Sequence, residues 1–126
     1  MKKVPRILVV NEQSPEVVPM FKILNNRGIK CQPRYFIYGR DVVSEDISGY
    51  DMAIIDASDD CRLGGNLDLS EWLREQRPDM PIIGSSVQWG ALLASPQAKK
   101  YDSVIGPGLT LNNIKYVLRA YELIGK

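Results

Sequence analysis

Short runs of β-branched residues alternate along this chain with stretches whose apolar positions recur every three or four residues. Val4 to Val10 (VPRILVV) reads as a first strand, and its unbroken Ile-Leu-Val-Val run suits burial on both faces of a sheet. Ser14, Pro15 and Glu16 then supply a helix N-cap, a proline at the first helical position and an acid in the first turn. Val17, Met20, Phe21 and Leu24 give that helix one apolar face, and Gly28 ends it. Ile29 to Ile37 predicts a second strand, which Pro33 pushes towards a sheet edge. Residues 39–49 leave room only for a short helix between Gly39 and Ser48-Gly49.

The third strand, Asp51 to Asp56 (DMAIID), runs apolar up to a terminal carboxylate. A loop with Asp59, Asp60 and Gly64-Gly65 follows, and a helix is predicted from about Leu67 to Gln76. Pro81 to Ser86 (PIIGSS) is a fourth strand, Ala91 to Lys100 a fourth helix with a start near Gln88, and Ser103 to Ile105 a short fifth strand. Thr110 or Asn112 caps the last helix, whose Ile114, Val117, Leu118, Tyr121 and Ile124 recur at helical spacing. Five β-α units in this order predict an α/β fold: a parallel five-stranded sheet with helices on both faces. Right-handed crossovers favour a flavodoxin-like doubly wound sheet, order 2-1-3-4-5, whose ligands bind at the carboxyl ends of the strands. Those ends carry Asn11-Glu12, Asp56, Ser85-Ser86 and Gly106-Pro107.

Composition narrows the chemistry. The 126 residues are 44% hydrophobic and 25% charged, which predicts one domain, residues 1–126, with its own core. Sixteen basic residues against fifteen acidic ones leave a net charge of +1, which argues against a nucleic-acid partner. With no histidine, imidazole bases, histidine-ligated zinc and Ser-His-Asp mechanisms are excluded. Cys31 and Cys61 are too far apart in sequence for a CxxC pair and read as reduced thiols. The longest early apolar run, Ile7 to Val10, is shorter than the about 7 residues of a secretory core or the about 20 of a membrane span, so a cytoplasmic location without membrane contact is expected.

These strand ends resemble those of response-regulator receiver domains, the CheY-like superfamily, along essentially the whole chain. The family's first strand ends in an acidic pair, and here ILVV is followed by Asn11-Glu12. Its third strand ends in the phospho-accepting aspartate, matched by Asp56 in YDMAIID. Its fourth ends in Thr or Ser five residues after a proline, matched by Ser86 after Pro81. Its fifth ends in Lys-Pro; Pro107 is present, but Gly106 replaces the lysine, and Ser103 stands where the family has its switch aromatic.

The resemblance implies Asp56 as phosphoacceptor and Ser86 as a hydroxyl ligand of the phosphoryl group. It implies Mg²⁺ held by Glu12, Asp56 and the Ser58 carbonyl, with Asn11 contributing an oxygen but no charge. The metal and a lysine ammonium offset phosphate charge in such sites. Here the lysine is missing, and Lys99 and Lys100 belong to the preceding helix end and do not replace it. The resemblance therefore implies a degenerate receiver without an attached output domain, working by protein contact and not as an enzyme beyond self-phosphorylation on Asp56. A phosphorylatable regulator served by a histidine kinase is the alternative, and a small-ligand-binding flavodoxin-like domain a second. Expected partners are a histidine kinase, a phosphotransferase, a downstream target or a second copy in a homodimer. Trp89, after Ser86, reads either as an exposed binding anchor or as packing on Leu92 or Leu93, while Trp72 reads as packing. Tyr116 and Arg119 on the last helix are further candidates for a partner surface.

Overall fold

In a computed structural model, residues 4–12, 14–60, 62–64 and 67–124 are described. In chain order the elements are β1 (Arg6–Val10), α1 (Ser14–Asn26), β2 (Gln32–Phe36), a 3-10 segment (Gly39–Ser44), β3 (Met52–Asp56), β4 (Arg62–Gly64), β5 (Leu67–Asp68) and α2 (Leu69–Gln76). They continue with β6 (Ile82–Ser85), α3 (Trp89–Leu93), a second 3-10 segment (Pro96–Lys100), β7 (Ser103–Ile105) and α4 (Leu111–Ala120). Five strands pair in parallel in the order β2-β1-β3-β6-β7. Numbered within that sheet alone, this is the 2-1-3-4-5 order expected from right-handed crossovers. β4 and β5 form a separate antiparallel ribbon in the loop after Asp56.

Each central strand divides its side chains between two cores. Ile7, Val9, Met52, Ile54 and Ile83 face α1 and α4, meeting Val17, Phe21, Leu24, Ile114, Val117 and Leu118. Leu8, Val10, Ala53, Ile55 and Ile82 face the other way, towards Val42, Ile47, Leu69 and Leu73. Period-two alternation in strands buried on both sides requires both sets to be apolar, which is why polar residues enter these strands only at their ends, as Arg6, Asp56 and Ser85.

Several boundaries differ from the expected ones: the first strand begins at Arg6 and the last helix ends at Ala120, short of Ile124, and three more have a local cause. The second strand begins at Gln32, not Ile29, because residues 29–31 close the preceding helix. Gly28 turns at φ +86°, Ile29 N–H donates to the Leu24 carbonyl, and Asn25 brackets Cys31, donating to its carbonyl and accepting from its N–H. The third helix starts at Leu69, where Asp68 and Glu71 form a capping box and Leu67-Asp68 joins the ribbon. The fourth breaks after Leu93: Ser95 caps a new turn by accepting from Gln97 N–H, and Pro96 has no N–H to continue α3. Pro33 lies on edge strand β2, as its missing donor requires. Among the described residues no helix is long and apolar enough to cross a membrane.

Candidate functional site

The carboxyl ends of β1, β3 and β6 bring Asn11, Asp56 and Ser85 into one row. Val10 pairs with Ile55, so Asn11 follows opposite Asp56, and Asp56 pairs with Ser85. Asn11 and Ser85 are buried, while Asp56 is half-buried. The Ser85 hydroxyl has no hydrogen-bond partner among the described residues. Asp56 caps the turn Ala57–Asp59. Its Oδ1 accepts from the Ser58 N–H at 2.9 Å and from the Ser58 hydroxyl at 2.6 Å. Both donors fall on the same oxygen.

The neighbouring acids are similarly committed. Asp59 Oδ2 accepts from the Glu12 N–H at 2.7 Å, which ties the β3 loop to the end of β1. Burial pushes the Asp59 carboxyl up, the Glu12 N–H opposes this, and the carboxylates of Asp56 and Glu12 add to the rise. Asp60 is held on both oxygens: Oδ1 accepts from Ser70 N–H at 2.9 Å, and Oδ2 from the Tyr101 hydroxyl at 2.6 Å. Asp60 therefore fastens the loop to α2 and to the approach of β7. Tyr101 is buried over Gly84, where a Cβ would come within 2.6 Å of its ring. Burial, followed by the Asp60 carboxylate, raises the Tyr101 phenol far above its ordinary value. This clamp links positions 41 apart in sequence and has no periodic signature.

Glu12, Asp56, Ser58 and Asn11 are the oxygen donors a hard cation requires, and they do meet at one end of the sheet. Only two of these four donors are carboxylates, those of Glu12 and Asp56. Among the described residues no three His, Cys, Asp or Glu side chains gather closely enough to hold a metal. The expected Mg²⁺ donors therefore lie at one pole of the sheet with one carboxylate fewer than an acidic pair would give.

Ser86 and Gly106 show why the fifth strand end differs. The Ser86 hydroxyl accepts from Gln88 N–H at 3.0 Å and so shapes the turn into α3. The Ser86 carbonyl accepts from Gly108 N–H at 2.8 Å, and its N–H donates to Ile105 at 3.2 Å. A Cβ on Gly106 would lie 2.5 Å from that carbonyl oxygen and 2.5 Å from Trp89 Cβ, with Trp89 Cγ at 2.7 Å. The indole thus stands over the strand end, at the position where the sequence lacks a lysine. Trp89 is neither fully buried nor free: 40% of it is exposed. A glycine at a strand end can mark such a close approach, and that was the available signal. Tyr116 is 65% exposed and Arg119 is also exposed; both lie on α4.

No family model matches the chain, and no curated protein matches it in sequence. Solved structures do. The response regulator TrrA of Thermotoga maritima in complex with Mg²⁺-BeF superposes with a TM-score of 0.70 at 17% identity, over 94% of this chain and 99% of that one. The non-phosphorylated HemR receiver domain of Leptospira biflexa gives 0.69 at 16% identity, over 97% of both chains. TrrA bound to the histidine kinase ThkA gives 0.66 at 17% identity, over 94% and 98%. The fold of this chain is therefore that of the CheY-like response-regulator receiver domains.

Proposed function

We propose that this chain is a receiver-like signalling module that acts through protein contacts without a stable phosphoryl cycle. The observation that carries this reading is the filled space at the end of β7. With the Ser86 carbonyl and Trp89 each 2.5 Å from a Cβ at Gly106, no side chain can project there without moving both. A phosphoryl group on Asp56 would lack the cation that offsets its charge, and it would stand beside Glu12 and Asp59. The partner class is another signalling protein. Its support is the fold together with the ThkA–TrrA pair, in which a domain of this fold meets a histidine kinase. A homodimer would use Tyr116 and Arg119 on the outer face of α4.

A second reading, phosphorylation on Asp56 with Mg²⁺, draws on one observation: both Ser58 donors occupy Oδ1, leaving Oδ2 outside that pair. It also draws on TrrA having been solved with Mg²⁺-BeF. Glu12, Asp56 and the Ser58 carbonyl, with Asn11, would then have to close around the ion. Incubation with Mg²⁺ and acetyl phosphate, followed by intact-mass analysis, separates the readings. We expect no phosphoryl adduct. An adduct present in the native chain and absent from Asp56→Ala would establish the second reading in place of the first.

A further inference from the structure

We propose that the outer face of α4 is a docking site for an acidic segment of a partner protein, with carboxylates set against Lys115 and Arg119 and an apolar side chain against Tyr116. The inference rests on the reading of this chain as a module that works by protein contact, and it names the chemistry of the partner. α4 divides its residues between two sides. Ile114, Val117 and Leu118 are buried in the core shared with α1, whereas Asn112, Lys115, Tyr116 and Arg119 fall at i, i+3, i+4 and i+7 on the opposite side. Asn112 and Arg119 are exposed, Lys115 is half-buried and Tyr116 is 65% exposed. Together with Ala120 they line a surface groove of about 440 Å³.

Charge selects the occupant. Residues 103–121 contain no Asp or Glu, and Lys115 and Arg119 are the only charged side chains among them. The ion pairs among the described residues are Arg34–Glu45, Arg74–Asp102, Arg77–Asp79 and Lys100–Asp68, so both cations of the stripe lack a carboxylate. The acids that bracket the segment do not change this. Asp102 is held by Arg74 and the Ile82 N–H, and Glu122, whose N–H donates to the Arg119 carbonyl, pairs with neither cation. A second copy seated through a two-fold axis would bring the stripe against itself, cation against cation, with no acid to answer. Two cations are too few for the extended footprint of a nucleic acid, or for an anionic membrane surface, which takes clusters of about 4–8. An exposed tyrosine beside them is what protein interfaces use as an anchor. Lys115 and Arg119 stand one turn apart, so carboxylates one turn apart on a partner helix meet both.

The test titrates the isotope-labelled full chain, followed by NMR, with a synthetic helical peptide carrying Glu at i and i+4 beside a Leu. A second titration uses the same peptide bearing Lys for Glu. The Glu peptide should shift the amide signals of residues 112–120 saturably, and the Lys peptide should not. Lys115→Gln with Arg119→Gln should weaken the Glu peptide roughly tenfold, as two exposed ion pairs allow, and added salt should weaken it too. Tyr116→Ala, at an exposed position that leaves the core untouched, should have the same direction of effect. Lack of a saturable shift, equal binding of both peptides, or binding unchanged in these variants would overturn the proposal. So would tighter binding of a DNA duplex or of phosphatidylserine vesicles, or a dimer of the free chain that Tyr116→Ala dissolves, each of which names a different occupant. This titration and the acetyl-phosphate experiment fail separately. An adduct on Asp56 removes the phosphorylation-independent reading and leaves a shift at α4 standing, while a silent α4 removes the docking site without producing an adduct.

Discussion

At the scale of single residues, Gly106 and Tyr101 decide most. Adding a side chain at Gly106 forces the Ser86 backbone and the Trp89 ring apart, and such overpacking costs typically about 1–3 kcal/mol. Gly106→Ala should therefore lower the urea midpoint clearly. Placed on Trp89→Ala the same change should cost less, although the backbone contact with Ser86 keeps part of the penalty. Equal costs in the two backgrounds, measured as a double-mutant cycle, would mean that the indole does not occupy that space. Tyr101 makes a prediction about pH. Its phenol, at 10.0 when unperturbed, is held far higher by burial and by Asp60, so the folded chain keeps a proton that the unfolded chain releases. Stability from this group is complete below about pH 10 and falls as pH rises beyond it. Burial of the Cys31 thiol, pushed from 9.0 to about 11, adds a loss of the same sign at slightly lower pH. Tyr101→Phe should cost about 1.5–3 kcal/mol near neutrality, the range for a hydrogen bond to a charged group. It should also flatten the alkaline decline measured in urea melts, and an unchanged slope would place the Tyr101 proton elsewhere.

At the scale of elements, what was readable in the chain was whatever repeats locally. The interiors of β1, β3 and β6 are apolar because both faces are buried, and that pattern needs no knowledge of partners. Thr110 and Asn113 form the capping box that starts α4, and the cap was visible as a Thr before a helical stripe. Ends set by distant contacts were not readable. Residues 29–31 look like strand but are held by Asn25, and Ala91–Lys100 looks like one helix but is divided where Ser95 and Pro96 start a new turn. The ribbon after Asp56 carries no alternation long enough to register as strands. The candidate site divides in the same way. Asn11, Glu12, Asp56 and Ser86 could be placed because they end strands whose order follows from handedness. Two features could not: the commitment of Asp60 to Ser70 and Tyr101, and the pairing of Trp89 with Gly106, since both join segments with no shared local pattern.

At the scale of the whole molecule, the fold separates two faces that need not share a ligand. All five strands of the parallel sheet end on the Asp56 side, while the docking stripe lies on the outer face of α4. The two cores share the central strands, so anything that binds the folded chain at either face should raise the stability of the whole. This makes thermal unfolding a test of the carboxyl pole. A ligand present at a hundredfold excess over its Kd, and bound only by the folded form, adds about 2.7 kcal/mol. For a domain of this size that raises Tm by roughly 5–15 °C. Because the acids near Asp56 are tied to Ser58 and to the Glu12 N–H, and no three of them gather for a cation, Mg²⁺ with beryllofluoride should leave Tm unmoved. A rise of several degrees that vanishes in Asp56→Asn would show that the carboxylates do close around the ion. The space over Gly106 would then be no barrier to an acyl-phosphate mimic, and the phosphorylation-independent reading would fall.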